Sequence, residues 1–427
     1  MSDDAEHPPA DSGSRSASPG SRRRRNGKVN GRGNGNTDGR GGKRRAKVKT
    51  RHTVGKVMIA SLLTVGMVTG LGVVYLYRHF QDNLDVVNVD AQLHDRPTKK
   101  DVDTGPKEPL NILVMGSDTR EGEGNNIDNL TGGGQRSDTT IMFHLSANRE
   151  FAYGISIPRD TLVDRPDCYQ EDGKTVIPGA TNAMWNDAFS VGGPACTMQQ
   201  FEQLTGIRLD HYVVLDFAGF QDMVDAVDGV EVCIPEDISD PAHGINIPAG
   251  TREIRGKEAL NYVRARYTLG DGSDIGRIKR QQAFIASLAG KVMARGTLAR
   301  LDRLVNFLDA ATSSLQTDIK SIFKIGEIGI GFKNIGLDNI KFVTVPFQYS
   351  TEQPGRVELL PEAEQLWQRV INDQPLTKRQ QQGVITAADD IDGSGGGPSG
   401  SPSGSPSPDD EETPDRSAER EAAGLCA

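Results

Sequence analysis

The feature that most constrains this chain is "VMIASLLTVGMVTGLGVVYLY", residues 57–77, twenty-one consecutive positions without a charge. At about 1.5 Å of rise per residue, a helix of that length spans the hydrocarbon core of a bilayer. The run is too long for the apolar region of a cleaved signal peptide, no A-x-A cleavage site follows it, and no Cys stands in or just after it to carry a lipid. A buried core helix would keep a polar face, and this one has none. Basic residues precede it, "KRRAKVKTRH" and Lys56, and such flanks stay on the cytoplasmic side. The chain is therefore expected at the cell membrane as a single-pass signal-anchor protein, its N-terminus in the cytoplasm and its bulk outside. Gly66 and Gly70 form a GxxxG, the pattern of a weak homodimer through the transmembrane helix, although glycine is common in membrane helices anyway.

Charge is spread unevenly around this anchor. Residues 1–56 hold fifteen Lys and Arg against five Asp and Glu, a net of +10, and the whole chain is −9, which leaves −19 for the other 371 residues. Beside a membrane span, membrane topology and attraction to anionic headgroups account for a basic tail, and no nucleic acid is needed. The expected organisation is a disordered basic tail over 1–56, the span over 57–77, a polar spacer over 78–108, one globular domain over 109–378 and a disordered Gly/Ser/Pro-rich tail over 379–427. All four Cys (168, 196, 233 and 426) then lie outside the membrane, where disulfides persist. Cys168 and Cys196 flank a loop-like stretch and are the first choice for a bridge, with Cys233 as a competing partner. No CxxC occurs, which argues against zinc.

Within the domain, "LNILVMGSD" (110–118), "TTIMFHLS" (139–146), "FAYGISIPRD" (151–160), "HYVVLDF" (211–217), "GVEVCIP" (229–235) and "DNIKFVTVPF" (338–347) read as strands bounded by turn residues. Helical patterns lie between them: "TMQQFEQLTG" from a Thr cap to Gly206, "FAGFQDMVDAVDG" stopping on Gly229, and leucines at helical spacing over 298–308. The alternation predicts an α/β fold, a three-layer α/β/α sandwich with a mixed central sheet.

Chemistry concentrates in "RARYTLGDGSDIGRIKRQQ", residues 264–282. Ser273 or Asp274 can cap a helix on which Arg277, Arg280 and Gln281 stand at i, i+3 and i+4, on one face near its N-terminus. Arginines oppose the macrodipole there, so stability alone does not explain them; with the helix's unpaired N–H groups they suit a polyanion such as a pyrophosphate. A surface salt-bridge network with Asp271 and Asp274 is the plainer reading. Elsewhere "MGSD" ends one strand at Asp118, followed by Thr119 and Arg120, and "RSDTT" opens the next with Arg136 and Asp138. If those strands are neighbours, the two carboxylates share a sheet edge and could hold Mg²⁺, or Mn²⁺, beside phosphates. In "SIPRD", Pro158 ends pairing and sends Arg159 and Asp160 outward. Of seven His, only His144, His211 and His243 fall in the domain; no HExxH occurs and no GxSxG joins a strand to a helix, so a hydrolase triad is poorly supported.

These motifs, with "NAMWNDAFSVGGPACT", "LTGIRLDHYVVLDFAGF" and "VDGVEVCIP" between them, resemble the LytR–CpsA–Psr family in family order over about residues 110–285. The resemblance implies a phosphotransferase that moves a glycopolymer, wall teichoic acid or a related one, from a polyprenyl-pyrophosphate lipid to peptidoglycan, typically to the 6-hydroxyl of N-acetylmuramic acid. It implies Asp118 and Asp138 as metal ligands, and Arg136, Arg159, Arg264, Arg266, Arg277 and Arg280 around the pyrophosphate, followed by Gln281. Arg120 and Asn182 are further substrate contacts. Ala180-Thr181-Asn182 stand where many members have Lys-x-Asn, so one cationic contact is not carried over. No further folded C-terminal module is expected. Asp138 or Asp160 would take the acceptor's proton. The competing readings are a non-catalytic envelope regulator or receptor that binds anionic wall polymer or prenyl phosphate with the same arginines, and a lipid pyrophosphatase.

Overall fold

A computed structural model describes residues 53–102, 105–118, 137–241, 245–265, 273–298, 300–389, 391 and 416–426. The described residues divide into two units, with the boundary between Val65 and Gly66. Helix α1, Thr53–Asn83, contains the uncharged run; through Val65 every described residue is exposed. The helix is long and apolar enough to cross a membrane, with no part of its apolar window buried.

Eight strands build the central sheet: β1 (Asp85–Val86), β2 (Leu110–Ser117), β3 (Ser137–Leu145), β4 (Ala152–Ile157), β5 (His211–Leu215), β6 (Leu315–Thr317), β7 (Ile340–Thr344) and β8 (Ile385–Thr386). Their order is β1-β6-β5-β2-β3-β4-β7-β8. Pairs β1–β6, β2–β5 and β4–β7 are parallel and the others antiparallel, so the sheet is mixed. The predicted strand at 229–235 forms instead a separate antiparallel pair, Val230–Ile234 with Gly250–Ile254.

Alternation along the strands divides the core between two faces. Leu113, Met115, Met142 and Val343 point to one side, where α2 (Asp187–Thr205) and α9 (Glu362–Ile371) supply Phe201, Leu366 and Trp367. Phe143, Leu145, Ile340 and Phe342 point to the other, towards α5 (Asp274–Met293) and α8 (Ile322–Ile335). Three layers result, as the alternation predicts. Gly154 is required by packing: a Cβ there would lie 2.7 Å from the Phe342 ring. Between the sheet strands run α3 (Phe217–Ala226), capped by the Asp216 carboxylate on Gly219 N, and α4 (Gly256–Arg264). Short α6 (Arg295–Leu298) and α7 (Leu301–Ser314) follow α5.

Three expectations need correction. Helix α2 does not begin at Thr197; it starts at Asp187, kinks at Gly192–Gly193 and resumes at Pro194, whose ring suits a first helical turn. The 78–108 segment is not a free spacer. Phe80, Leu84, Val89 and Leu93 are buried, and Arg96 and Lys99 pair with Glu202 and Asp210, each at 2.6 Å. Those apolar residues are too widely spaced among polar ones to register as an element. Nor is all of 379–427 an unfolded tail: β8 closes the sheet edge, and α10 (Arg416–Ala422) leads to buried Ala423 and Leu425. Cys426 is bridged to Cys233, 193 residues earlier, while Cys168 pairs with Cys196 as first chosen.

Candidate functional site

The site grows from the ends of β2, β3 and β4. Ser117 pairs with Ser137, and the register shifts between Gly116 and Ser117, making Asp138 the extra residue of a bulge. Bulges re-aim side chains at sheet ends. Asp118 directly follows β2 and is half-buried, so both aspartates sit at one end of adjacent strands. After β4, Pro158 closes a tight turn: its carbonyl accepts from Thr161 N at 3.1 Å and Thr161 Oγ1 at 2.7 Å. Arg159, inside that turn, donates from Nη1 to Asp138 Oδ1 at 2.7 Å and from Nε to Asp160 Oδ2 at 3.3 Å.

Helix α5 brings the second guanidinium. Ser273 adopts extended geometry and its Oγ accepts from Gly276 N at 3.0 Å, an N-cap that fixes where the helix starts. Arg277, one turn in, is 2% exposed; its Nη2 lies 2.7 Å from Asp274 Oδ1 and its Nη1 4.0 Å from Asp138 Oδ2. Asp274 also stands 3.5 Å from Arg159 Nε. Arg356, from the turn before strand Val357–Leu359, reaches Asp160 Oδ1 at 2.9 Å. Three carboxylates and three guanidiniums thus interlock. Burial disfavours the Arg159 cation, but Asp138, then Asp274 and Asp160, outweigh it and raise its pKa above the ordinary arginine value. The cluster therefore balances three guanidiniums against three carboxylates, and the carboxylates occupy the places that an incoming anion would contest.

Other predicted residues are placed differently. Arg280 is fully buried and donates to the carbonyls of Ala423, at 2.9 Å, and Ala265. Gln281 is half-buried, accepts from Thr139 Oγ1 at 3.1 Å and donates to Val263 O at 3.2 Å, tying α5 to both β3 and the end of α4. Arg264 ends α4 with its guanidinium 4.7 Å from the centre of the Phe217 ring, a cation–π contact. Asn182 is exposed with φ of 52°, and its backbone N donates to Asp164 at 2.9 Å. Arg120, Arg136, Arg266 and His243 lie outside the described residues. Sequence reasoning missed Arg356, for which no local motif gives a signal, and gave Asp274 only a capping or surface role. A cavity of about 400 Å³ is lined by Ile275, Gly276 and Lys279 of α5 and by Val345, Pro346 and Phe347; none of the six cluster residues lines it.

Set beside known proteins, the chain matches the LytR_cpsA_psr family over residues 75–370. LcpB of Corynebacterium glutamicum, named a probable cell wall biosynthesis protein, is 37% identical over 268 residues, covering 61% of this chain and 58% of that one. TagU of Enterococcus faecalis, named a polyisoprenyl-teichoic acid–peptidoglycan teichoic acid transferase, is 29% identical over 225 residues, covering 53% of this chain and 66% of that one. The chain thus spans less than two thirds of the length of either relative. A solved structure of a Streptococcus agalactiae protein is similar in fold, with a TM-score of 0.51 at 24% identity over 64% of this chain and 90% of that one.

Proposed function

The chain belongs to the LytR–CpsA–Psr family, and from that premise we propose that it transfers a glycopolymer, with its linking phosphate, from a polyprenyl-pyrophosphate lipid carrier to peptidoglycan. The observation that carries this reading is the approach of Arg159 and Arg277 to the two oxygens of one carboxylate, Asp138, at the end of β3. Two guanidiniums fixed on separate elements at a capped helix N-terminus form a receptor for a diphosphate. The name of the Enterococcus faecalis relative supports a lipid-linked teichoic acid, or a related glycopolymer, as the donor.

In the proposed reaction the muramic acid 6-hydroxyl oxygen attacks the phosphorus that bears the polymer. The bond from that phosphorus to the bridging oxygen breaks, prenyl monophosphate leaves, and the hydroxyl proton passes to Asp138 or Asp160. Arg159 and Arg277 neutralise charge on the phosphoryl oxygens, the main demand of phosphoryl transfer.

The donors at the β2 and β3 ends are hard oxygens, which fit Mg²⁺ or Mn²⁺; Asp118 and Asp138 would hold the ion, with phosphate and water completing its shell. Among the described residues there is no group of three or more His, Cys, Asp or Glu that could hold a metal by itself. Such an ion would supply further charge neutralisation. The apolar helix α1 supports anchoring in the cell membrane, and the basic flank before it is the argument for a domain that lies outside.

The test incubates the full chain with a lipid-pyrophosphate-linked glycopolymer, Mg²⁺ and peptidoglycan, and measures wall-bound polymer and released prenyl monophosphate. Acceptor-dependent appearance of both supports transfer. Release without acceptor identifies a pyrophosphatase, and binding without release a receptor; either result overturns the proposal.

A further inference from the structure

Helix α8 leaves part of an apolar side uncovered. Its inner residues Gly331 and Ile335 are buried, and Ile335 joins the core beside Phe342. An adjacent side carries Phe323 and Ile330, exposed by 72% and 59%. With Gly326 and Lys333, also exposed, they lie at i, i+3, i+7 and i+10, a single stripe along nearly three turns. Large apolar side chains so placed contribute nothing to the core and mark a surface that meets something else.

What it meets follows from its fastening to α1. The Phe323 ring stacks on Tyr77 with centroids 5.0 Å apart, and Tyr77 is the last residue of the uncharged run. Gln81, one turn further on, donates to Lys320 O at 2.9 Å and accepts from Ile322 N at 3.2 Å, so the first turn of α8 is bolted to the end of α1. Asp309 of α7 adds a second clasp, 2.6 Å from His79 Nε2 and 2.9 Å from Asn83 Nδ2. Where the uncharged run ends, the bilayer interface must lie, and the stack places Phe323 at that level. Lys320 and Lys333 are exposed at the two ends of the helix, and Lys324 stands beside Glu327 at 3.4 Å. An apolar stripe flanked by lysines is the composition of a helix lying in the headgroup region, where aromatic rings are enriched and cations meet anionic lipids.

We propose that α8 is an interfacial helix: Phe323 and Ile330 enter the leaflet from which α1 emerges, and Lys320, Lys324 and Lys333 engage its anionic headgroups. The proposal rests on α1 being a membrane span. A single span lets a domain swivel about its exit point; a second contact beside it removes that freedom and fixes which face the domain turns to the lipid.

The experiment places the full chain in nanodiscs containing phosphatidylglycerol, with or without lipids brominated on their acyl chains. The native Trp185 and Trp367 are 0% and 2% exposed, so a new Trp on the surface reports its own surroundings. Phe323→Trp and Ile330→Trp are expected to lose most of their added emission on bromination, as Tyr75→Trp within the span does. Tyr349→Trp, at a 58% exposed position at the end of the short strand Phe347–Tyr349, is expected to keep it. If Tyr75→Trp is quenched while both α8 variants stay bright, the helix does not touch lipid and the proposal fails with the span intact. If Tyr75→Trp also stays bright, the span itself is refuted and the proposal with it. Shielding of the α8 variants that appears only with two chains per disc assigns the stripe to a second copy and overturns the lipid assignment.

Discussion

Arg356 donates through Nη1 to Oδ1 of Asp160 at 2.9 Å, joining positions 196 residues apart. The other oxygen of that carboxylate lies 3.3 Å from Arg159 Nε, so Arg356 fixes a group that in turn helps to aim Arg159. Acting through Asp160, Arg356 is a positioning residue. Arg356→Ala should lower the transfer rate by about tenfold, the scale of one lost oriented contact of 1–2 kcal/mol. The loss should fall on kcat more than on KM, and Arg356→Lys should restore part of it. Unchanged kcat would remove Arg356 from the site.

Arg159→Ala removes a guanidinium from the proposed transition-state contacts. The expected loss in polymer attachment is about 10²–10³-fold, as for removal of one preorganised donor. A folded variant working at the wild-type rate would falsify the arginine-clamp assignment.

Arg280 should behave otherwise, because it is sealed inside and serves two backbone carbonyls. Arg280→Ala leaves those acceptors and a cavity behind, a destabilisation of roughly 2–5 kcal/mol in denaturant unfolding. Full stability with lost activity would return Arg280 to the diphosphate.

Chelation tests the metal. EDTA should abolish transfer and Mg²⁺ should restore it, and Asp118→Asn should raise the Mg²⁺ concentration needed for half-maximal rate. Undiminished transfer in EDTA would rule out a required ion.

The Cys233–Cys426 bridge closes a loop of 193 residues and pins the segment whose Ala423 carbonyl serves Arg280. Cys426→Ser should lower stability by about 2–4 kcal/mol, read as a fall in melting temperature. No fall would show that the C-terminal segment holds without its bridge.

Tyr262 provides a pH readout of the same region. Burial pushes its hydroxyl from 10.0 up to about 12, although Arg280 and Arg420 pull the other way. A pKa raised on folding means stability that is complete below pH 10 and is lost as pH climbs through 12. Wild type should therefore lose up to about 3 kcal/mol relative to Tyr262→Phe across that interval. Parallel curves for the two proteins would show that Tyr262 is not held in its neutral form.

The residues differ in how much of this was readable in advance. An uncharged run of twenty-one residues marks a helix able to span a bilayer by length and composition alone. Strand alternation in "LNILVMGSD" and "TTIMFHLS" placed Asp118 and Asp138 near strand ends, and Ser273 was among the two caps offered for α5; these are properties of neighbouring residues, which sequence displays directly. Helical spacing likewise put Arg277 and Arg280 on related faces. Only the tertiary structure decided that Arg277 meets Asp138 and Asp274 while Arg280 is enclosed by Ala265 and Ala423, because periodicity defines a face and not what covers it. Arg356 against Asp160, and Cys426 against Cys233, arise from chain crossings of nearly two hundred residues. Such contacts depend on how whole layers stack, and no local pattern of side chains encodes that.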